Sequence, residues 1–406
     1  MSLRELPARA IVHAIADAAE RWSDADFPPR VRLLDGIVAR TGYSFPVVEY
    51  ALDALFFSMT VPAIVAAIEN ELGSLDALDG FAPRNGRPTA WARGLDRIGI
   101  ISSRTTIGVA LAPAIFALCA KANVLVKDRE DGLVAAFFET LAQERAEFRH
   151  SAQARGWNAR ESAGELRGFD AVVAFGRDAT LGEIRAGLDA QTRFIGYGSR
   201  ASVGYISREW LHDEAGACEI ATRAARDVVL YDTEGCMSLH ALFVETGAAI
   251  DPTHFGKLLA DGIVRSAIEF PLGAREPATA AAIANARNLA AFRASAGTGA
   301  VFADASASYA VFVDPPLGDP PLFLPRTLAI YAVSEPAEAL AYLNRHGIAL
   351  EAFALAGERP EVLRLAVDAG AVRIARFGEL QRPPLHGDHG GRPRIADFIR
   401  WIDKDL

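Results

Sequence analysis

A chain of 406 residues has room for two or three domains with sizeable cores, and 51% apolar content without low-complexity stretches excludes a disordered protein. Lys plus Arg total 42 against 51 for Asp plus Glu, and the resulting net charge of −9 argues against nucleic acid or an anionic membrane as the main partner. Cys119, Cys218 and Cys236 show no CxxC spacing, the N-terminal stretch lacks the apolar core of a signal peptide, and no run reaches the ~18 apolar residues of a membrane span, so a cytoplasmic protein with reduced thiols is expected.

Residues 5–72 read as helices, with Val47, Ala51, Leu52, Leu55 and Phe56 at three-to-four spacing. The Gly-, Pro-, Asn- and Asp-rich stretch 75–88 reads as a connection. A strand at 97–102, a helix near 107–121, a strand at 123–127 and a helix at 131–148 follow. After the polar stretch 149–168 come a strand at 170–175, a helix at 179–187 and a strand at 193–197. Strands alternating with helices of this length predict a parallel sheet joined by right-handed crossovers. Helical spacing resumes over 217–232 through Ile220, Ala224 and Val228. A second α/β set then reads as strand 241–245, helix 253–260, strand 262–268 and helix 276–291, continuing to about 377.

Between the two sets lies YDTEGCMSLHALFVE (231–245), where a helical pattern gives way to an apolar strand. Cys236 follows Gly235 at that junction. A thiol just past a glycine turn has an open approach and backbone N–H groups beside it, which suits a covalent nucleophile and the oxyanion it generates. The competing reading is a packed cysteine, since Cys is among the most buried residue types. Cys119, on an apolar helical stretch, and Cys218, on the helix before the turn, read as core. His240, on the apolar strand, reads as a satisfied core or interface histidine, and Glu234 as a solvated turn carboxylate.

The Gly-Cys-x-Ser-x-His segment formed by Gly235, Cys236, Ser238 and His240 resembles the aldehyde dehydrogenase superfamily, and most closely its LuxC-like acyl-CoA reductase branch. The likeness runs over about 45–405. It includes FFSMTVPAIVAAIENELG (56–73), IGVALAPAIFALCAKANVLVKD (107–128), GFDAVVAFGRDATLGEIRAGL (168–188), TRFIGYGSRASVGYI (192–206), LPRTLAIYAVSEPAEALAYLN (324–344) and HGGRPRIADFIRWID (389–403). It implies two α/β domains with parallel-sheet cores and the active site in the cleft between them. Residues 1–226 would bind a nicotinamide dinucleotide, 227–377 would carry the nucleophile, and 378–406 would return to the cofactor domain or make an oligomer contact.

The resemblance further implies a reductase that takes an acyl thioester, on coenzyme A or a carrier protein, through a Cys236-linked acyl-enzyme to an aldehyde. Other readings are a degenerate or acyl-transferring partner in a biosynthetic complex and an oxidative aldehyde dehydrogenase; a homo-oligomer is a further expectation. The superfamily binds nicotinamide dinucleotides without GxGxxG, so the absence of that fingerprint is neutral. Lys127 and Glu130 would reach the adenosine ribose, and Gly176 and Gly198 would allow the backbone to approach the pyrophosphate at a helix N-terminus. Arg129 would clamp a 2′-phosphate, whereas Glu130 would favour NADH; NADPH is the expected cofactor and NADH the alternative.

Several positions depart from the family pattern. Gly196 stands where oxidising members carry the water-activating glutamate, which favours thioester reduction over hydrolysis. Thr105 stands where an asparagine helps to bind the oxyanion, Leu239 where proline is common, and Gly390 where the C-terminal motif has aspartate. His386, Asp388 and His389 in LHGDHGG fit tetrahedral metal closure poorly and are assigned to the C-terminal loop.

Overall fold

A computed structural model describes residues 2–84, 87–104, 106–158, 161–315 and 317–405, and Thr105 lies outside the described residues. The chain divides into two compact units. The first comprises Met1–Thr41, Val48–Ser199 and Pro384–Leu406, and the second Gly42–Val47 and Arg200–Pro383.

The first unit begins with helices α1 (Ala8–Ser23), α2 (Pro28–Thr41), α3 (Phe45–Phe57) and α4 (Val61–Leu72). On α1, Ile11, Ile15, Ala18 and Trp22 recur at helical spacing and are all buried, and the Trp22 indole donates to Thr140 Oγ1 at 3.0 Å. Thr60 caps α4, its hydroxyl accepting from Ala63 N, and Gly73 ends the helix in the left-handed region at φ 84°.

Strands β1 (Ala82–Arg84) and β2 (Arg87–Gly94) follow, within and after the stretch expected to be a mere connection. Then come β3 (Arg97–Ile101), α5 (Leu111–Cys119), β4 (Asn123–Lys127), α6 (Leu133–Glu144), α7 (Phe148–Ser151), β5 (Ala152–Arg155), α8 (Ser162–Glu165), β6 (Ala171–Phe175), α9 (Asp178–Ala186) and β7 (Arg193–Tyr197). These strands form a five-stranded parallel sheet in the order β5-β4-β3-β6-β7. Every residue of β6 is buried, the signature of a strand covered on both faces. The order reverses at β3, so the crevice between the C-terminal ends of β3 and β6 is where such a sheet takes a ligand.

The second unit contains β8 (Ala201–Ile206), α10 (Glu214–Val229), β9 (Leu239–Glu245), α11 (Pro252–Glu269), α12 (Pro277–Ser295), β10 (Ala300–Ala303), β11 (Ala310–Val313), β12 (Thr327–Val333), α13 (Pro336–Arg345), β13 (Leu350–Ala356), α14 (Pro360–Asp368) and β14 (Arg373–Arg376). Its seven strands run β10-β11-β12-β9-β8-β13-β14, all pairs parallel except β10 with β11. The strand expected at 262–268 is instead the last two turns of α11. Its Ile and Val suggest β structure, but Phe255, Leu259 and Ile263 keep helical spacing and are buried while Val264 and Ile268 are exposed. Gly262 lets α11 approach α10 closely: a Cβ there would lie 3.1 Å from Ala225 Cβ.

The units divide at Ser199–Arg200, earlier than the boundary expected near 226, because β8 pairs with β9 and β13 in the second sheet. At the other end, β15 (Ile399–Asp403) pairs antiparallel with β2, so residues 384–406 belong to the first unit. No single helix among the described residues is long and apolar enough to cross a membrane.

Candidate active site

In the second unit, α10 ends at Val229, and Tyr231, Asp232 and Thr233 then take φ of 56°, 47° and 61°. Three consecutive non-glycine residues in the left-handed region cost about 1–2 kcal/mol each and need an external hold. A buried ion pair supplies it. Asp232 Oδ1 accepts from Arg326 Nε at 2.6 Å, Asp232 Oδ2 accepts from Gly273 N at 3.1 Å, and Arg326 Nη2 donates to Phe270 O at 2.7 Å. Beyond this turn, Ser238 N donates to Gly235 O at 3.0 Å. Ser238 Oγ accepts from Gly235 N at 3.2 Å and from Gln381 Nε2 at 2.8 Å.

Cys236 stands on this braced turn with an exposed side chain, whereas Cys119 is fully buried. Its carbonyl accepts from Ser202 Oγ at 2.8 Å, which ties the turn to β8. The surrounding protein, and after it the Glu351 carboxylate, push the thiol up to about 12; its own backbone N–H, that of Met237 and the Arg200 guanidinium pull the other way. The two N–H groups are donors of the kind that stabilise a thiolate or oxyanion.

His240 is buried, its ring centroid 5.1 Å from that of Phe323. Burial holds it down to about 4, so it is neutral at ordinary pH, and its Nδ1 has no hydrogen-bond partner. Glu234 is exposed at the turn.

In the first unit, Lys127, Arg129 and Glu130 leave the end of β4 in different directions. Lys127 is buried, with Nζ 3.4 Å from Ser162 Oγ and 5.4 Å from the Trp157 ring centroid. Arg129 is exposed, and burial of its base and the neighbouring Arg104 guanidinium lower its pKa. Glu130 points inward. It is fully buried, Oε2 accepts from Gly108 N, Oε1 has no partner, and burial raises the carboxyl to about 8. The sequence expectation set this carboxyl at the adenosine ribose; here it is buried and bonded to Gly108 N.

Gly176 and Gly198 lie just past the C-terminal ends of β6 and β7. A Cβ on Gly176 would make only ordinary contacts within the protein, whereas one on Gly198 would lie 2.2 Å from Asp178 Oδ1. That oxygen accepts from Ser199 N at 3.1 Å, so a carboxylate already stands at the N-terminus of α9. Gly196 lies on β7, where a Cβ would meet Phe194 Cε1 at 2.9 Å. Phe175, Tyr197 and His389 form a three-ring cluster, with centroids 4.9 Å apart for Phe175 and Tyr197, 4.3 Å for Tyr197 and His389, and 5.7 Å for Phe175 and His389, and burial holds His389 down to about 3.

Sequence reasoning missed Ser202, Glu351, Arg200 and Gln381, and the Asp232–Arg326 pair. A lone Glu in the apolar strand LEAFALA was the one visible signal among them.

Residues 3–401 match the acyl-CoA reductase (LuxC) family, and the chain belongs to it. No curated protein matches the sequence. Among solved structures, the NADP-dependent glyceraldehyde-3-phosphate dehydrogenase from Bacillus halodurans, complexed with NADP, superposes with a TM-score of 0.70 at 13% identity, over 99% of this chain and 88% of that one. The NAD-dependent benzaldehyde dehydrogenase from Corynebacterium glutamicum gives 0.69 at 12%, over 100% and 87%. Aldehyde dehydrogenase 21 from Physcomitrella patens, in complex with the product succinate, gives 0.69 at 11%, over 99% and 85%. The fold is that of the aldehyde dehydrogenases.

Proposed function

We propose that the protein reduces an acyl thioester to an aldehyde, with Cys236 as the covalent nucleophile. The observation that carries this reading is the exposed thiol on a turn braced by Ser202, Ser238 and Gln381, with the N–H groups of Cys236 and Met237 beside the sulfur. The thiolate attacks the acyl carbon, coenzyme A or another thiol carrier leaves, and the acyl group rests on Cys236. Collapse of the reduced adduct frees the aldehyde and restores the thiol.

A reduced nicotinamide dinucleotide supplies the hydride when bound. Exposed Arg129, with Arg104 beside it, fits the 2′-phosphate of NADPH, because guanidinium matches phosphate geometry. Inward-facing Glu130 removes the carboxylate that would repel that phosphate. Lys127 lines the same strand end, and Gly176 leaves room for the dinucleotide backbone.

The test is to incubate the protein with acyl-CoA, locate the acyl group by peptide mass spectrometry, and then add NADPH and assay aldehyde. Wild type should acquire one acyl group on Cys236 and release aldehyde, and Cys236→Ser should do neither while still binding dinucleotide. Comparable aldehyde formation by the Ser variant would refute the covalent route.

A further inference from the structure

The Cys236 turn is served by a feature of the second unit's sheet that the foregoing reading does not use. Along β8, Ser202 pairs with Leu239 and Val203 with Ala241, so His240 is an extra residue on β9. On the other side Ala201 pairs with Leu350 and Val203 with Phe353, so Glu351 and Ala352 together oppose Ser202 on β13. Two bulges therefore flank one residue. Bulges re-aim side chains and concentrate beside active sites.

Ser202 itself is fully buried and joins the pieces: its hydroxyl donates to Cys236 O at 2.8 Å and accepts from Ala352 N at 3.1 Å. The residue next to Glu351 is thus tied through a single hydroxyl to the backbone of the thiol residue. Glu351 is only 6% exposed in an otherwise apolar strand, where an ionised carboxylate is costly without a partner. Arg200 Nε lies 3.8 Å from Glu351 Oε2, and Arg200 Nη1 donates to Leu350 O at 3.1 Å. Of the charged groups around the Cys236 sulfur, Glu351 acts on it most strongly, and Arg200 opposes it. His240, on the facing bulge, is neutral and turned against Phe323.

We propose that Glu351 is the proton acceptor for Cys236, an inference that rests on the acyl-thioester reading above. As the sulfur attacks, the S–H bond breaks and an O–H bond forms on Glu351. The new bond from sulfur to the acyl carbon replaces the bond to the leaving thiolate. The proton passes from Glu351 to that thiolate, which departs as a neutral thiol and leaves the carboxylate regenerated. No electrons are exchanged in this step. Arg200 is a positioning residue that holds the carboxylate.

The experiment compares the full-length wild type with Glu351→Gln, Glu351→Asp and Arg200→Met. Two quantities are read: the pH midpoint for alkylation of Cys236 by iodoacetamide, and the rate of Cys236 acylation by acyl-CoA thioesters of graded chain length at pH 7. In Glu351→Gln the alkylation midpoint should fall, because a negative charge has gone, yet acylation should slow at least tenfold, because the acceptor has gone. Glu351→Asp should recover part of the acylation rate, and Arg200→Met should move the midpoint upward. An unmoved midpoint in Glu351→Gln, or acylation as fast as wild type, overturns the proposal. If no acyl-CoA acylates even the wild type, the reading of the substrate fails, and the rate of Cys236 alkylation by iodoacetamide at pH 7 decides for or against Glu351: slower in Glu351→Gln than in wild type supports it, and as fast or faster overturns it. Because Gln preserves the volume of Glu, and Asp and Met offer second and third readings, a folding defect in one variant leaves the question answerable.

Discussion

Gly196 makes a statement about water. The family resemblance sets Gly196 where oxidising members carry the water-activating glutamate, and a glycine on β7 supplies no such base. Without reductant, the acyl group on Cys236 should persist for minutes, as followed by intact-mass spectrometry after rapid desalting. Millisecond release of free carboxylic acid would show that another group does that work. For the dinucleotide, the residue proposed above is Arg129. Arg129→Ala should raise the KM for NADPH roughly tenfold or more and hardly alter that for NADH, since a charge-assisted contact contributes about 1.5–3 kcal/mol. Equal losses with both dinucleotides would place Arg129 away from the 2′-phosphate. The residue scale was only partly legible in the sequence. Cys236 stood out because a glycine turn at a helix-to-strand junction has a local signature. Glu351 did not, because its meaning depends on two registers that shift beside Ser202, and register between distant strands leaves no mark on either strand alone.

At the scale of elements, the α10–β9 connection stands out because its backbone is held against its own preference. The buried Asp232–Arg326 pair spans a long stretch of sequence and fixes the left-handed turn that leads to Cys236. Replacing one partner leaves the other charge buried and unpaired, which typically costs about 3–5 kcal/mol. Asp232→Ala should therefore lower the denaturant midpoint clearly, and should slow alkylation or acylation of Cys236 even in protein that remains folded. A variant with unchanged stability would mean the turn needs no such pin. The alternation of strands and helices was readable from periodicity and gave the α/β class with parallel sheets, while the aldehyde-dehydrogenase-like architecture came from the family resemblance. The α11 error has a simple cause: a few β-branched residues in a short window favour a strand, and only the buried positions over the whole helix settle the period. β1 and β2 were hidden for a different reason, since Pro83 and Pro88 within them read as turn residues.

For the whole molecule, buried titratable groups tie stability to pH. Glu130 keeps its proton up to about 8 in the folded chain, while an unfolded glutamate loses it near its ordinary value of 4.5. Between those two values folding must take up a proton, so this group's contribution to stability declines as pH rises through the window. Asp227, raised to about 7 by burial, acts in the same direction. His240 and His389, held down to about 4 and about 3, act oppositely: their contribution is lost as pH falls below the ordinary histidine value. Glu130→Gln keeps an acceptor for Gly108 N–H and removes the ionisation. Relative to wild type it should gain stability steadily from pH 5 to pH 8, reaching a few kcal/mol. A difference that stays flat across that range would show that Glu130 is ionised where it lies.

The pairing of β15 with β2 has a consequence for how the chain is made. A ribosome makes β2 early and β15 much later, so the three-stranded sheet of the first unit stays incomplete until residues 399–403 have been made. The residues of the second unit end at Pro383. Synthesis from the N-terminus therefore completes the thiol-bearing unit before the unit that precedes it in sequence, and β2 waits through most of translation with an unpaired edge. A chain truncated after Pro383 would hold every strand of the seven-stranded sheet, with Cys236 on its turn, attached to a first unit lacking β15.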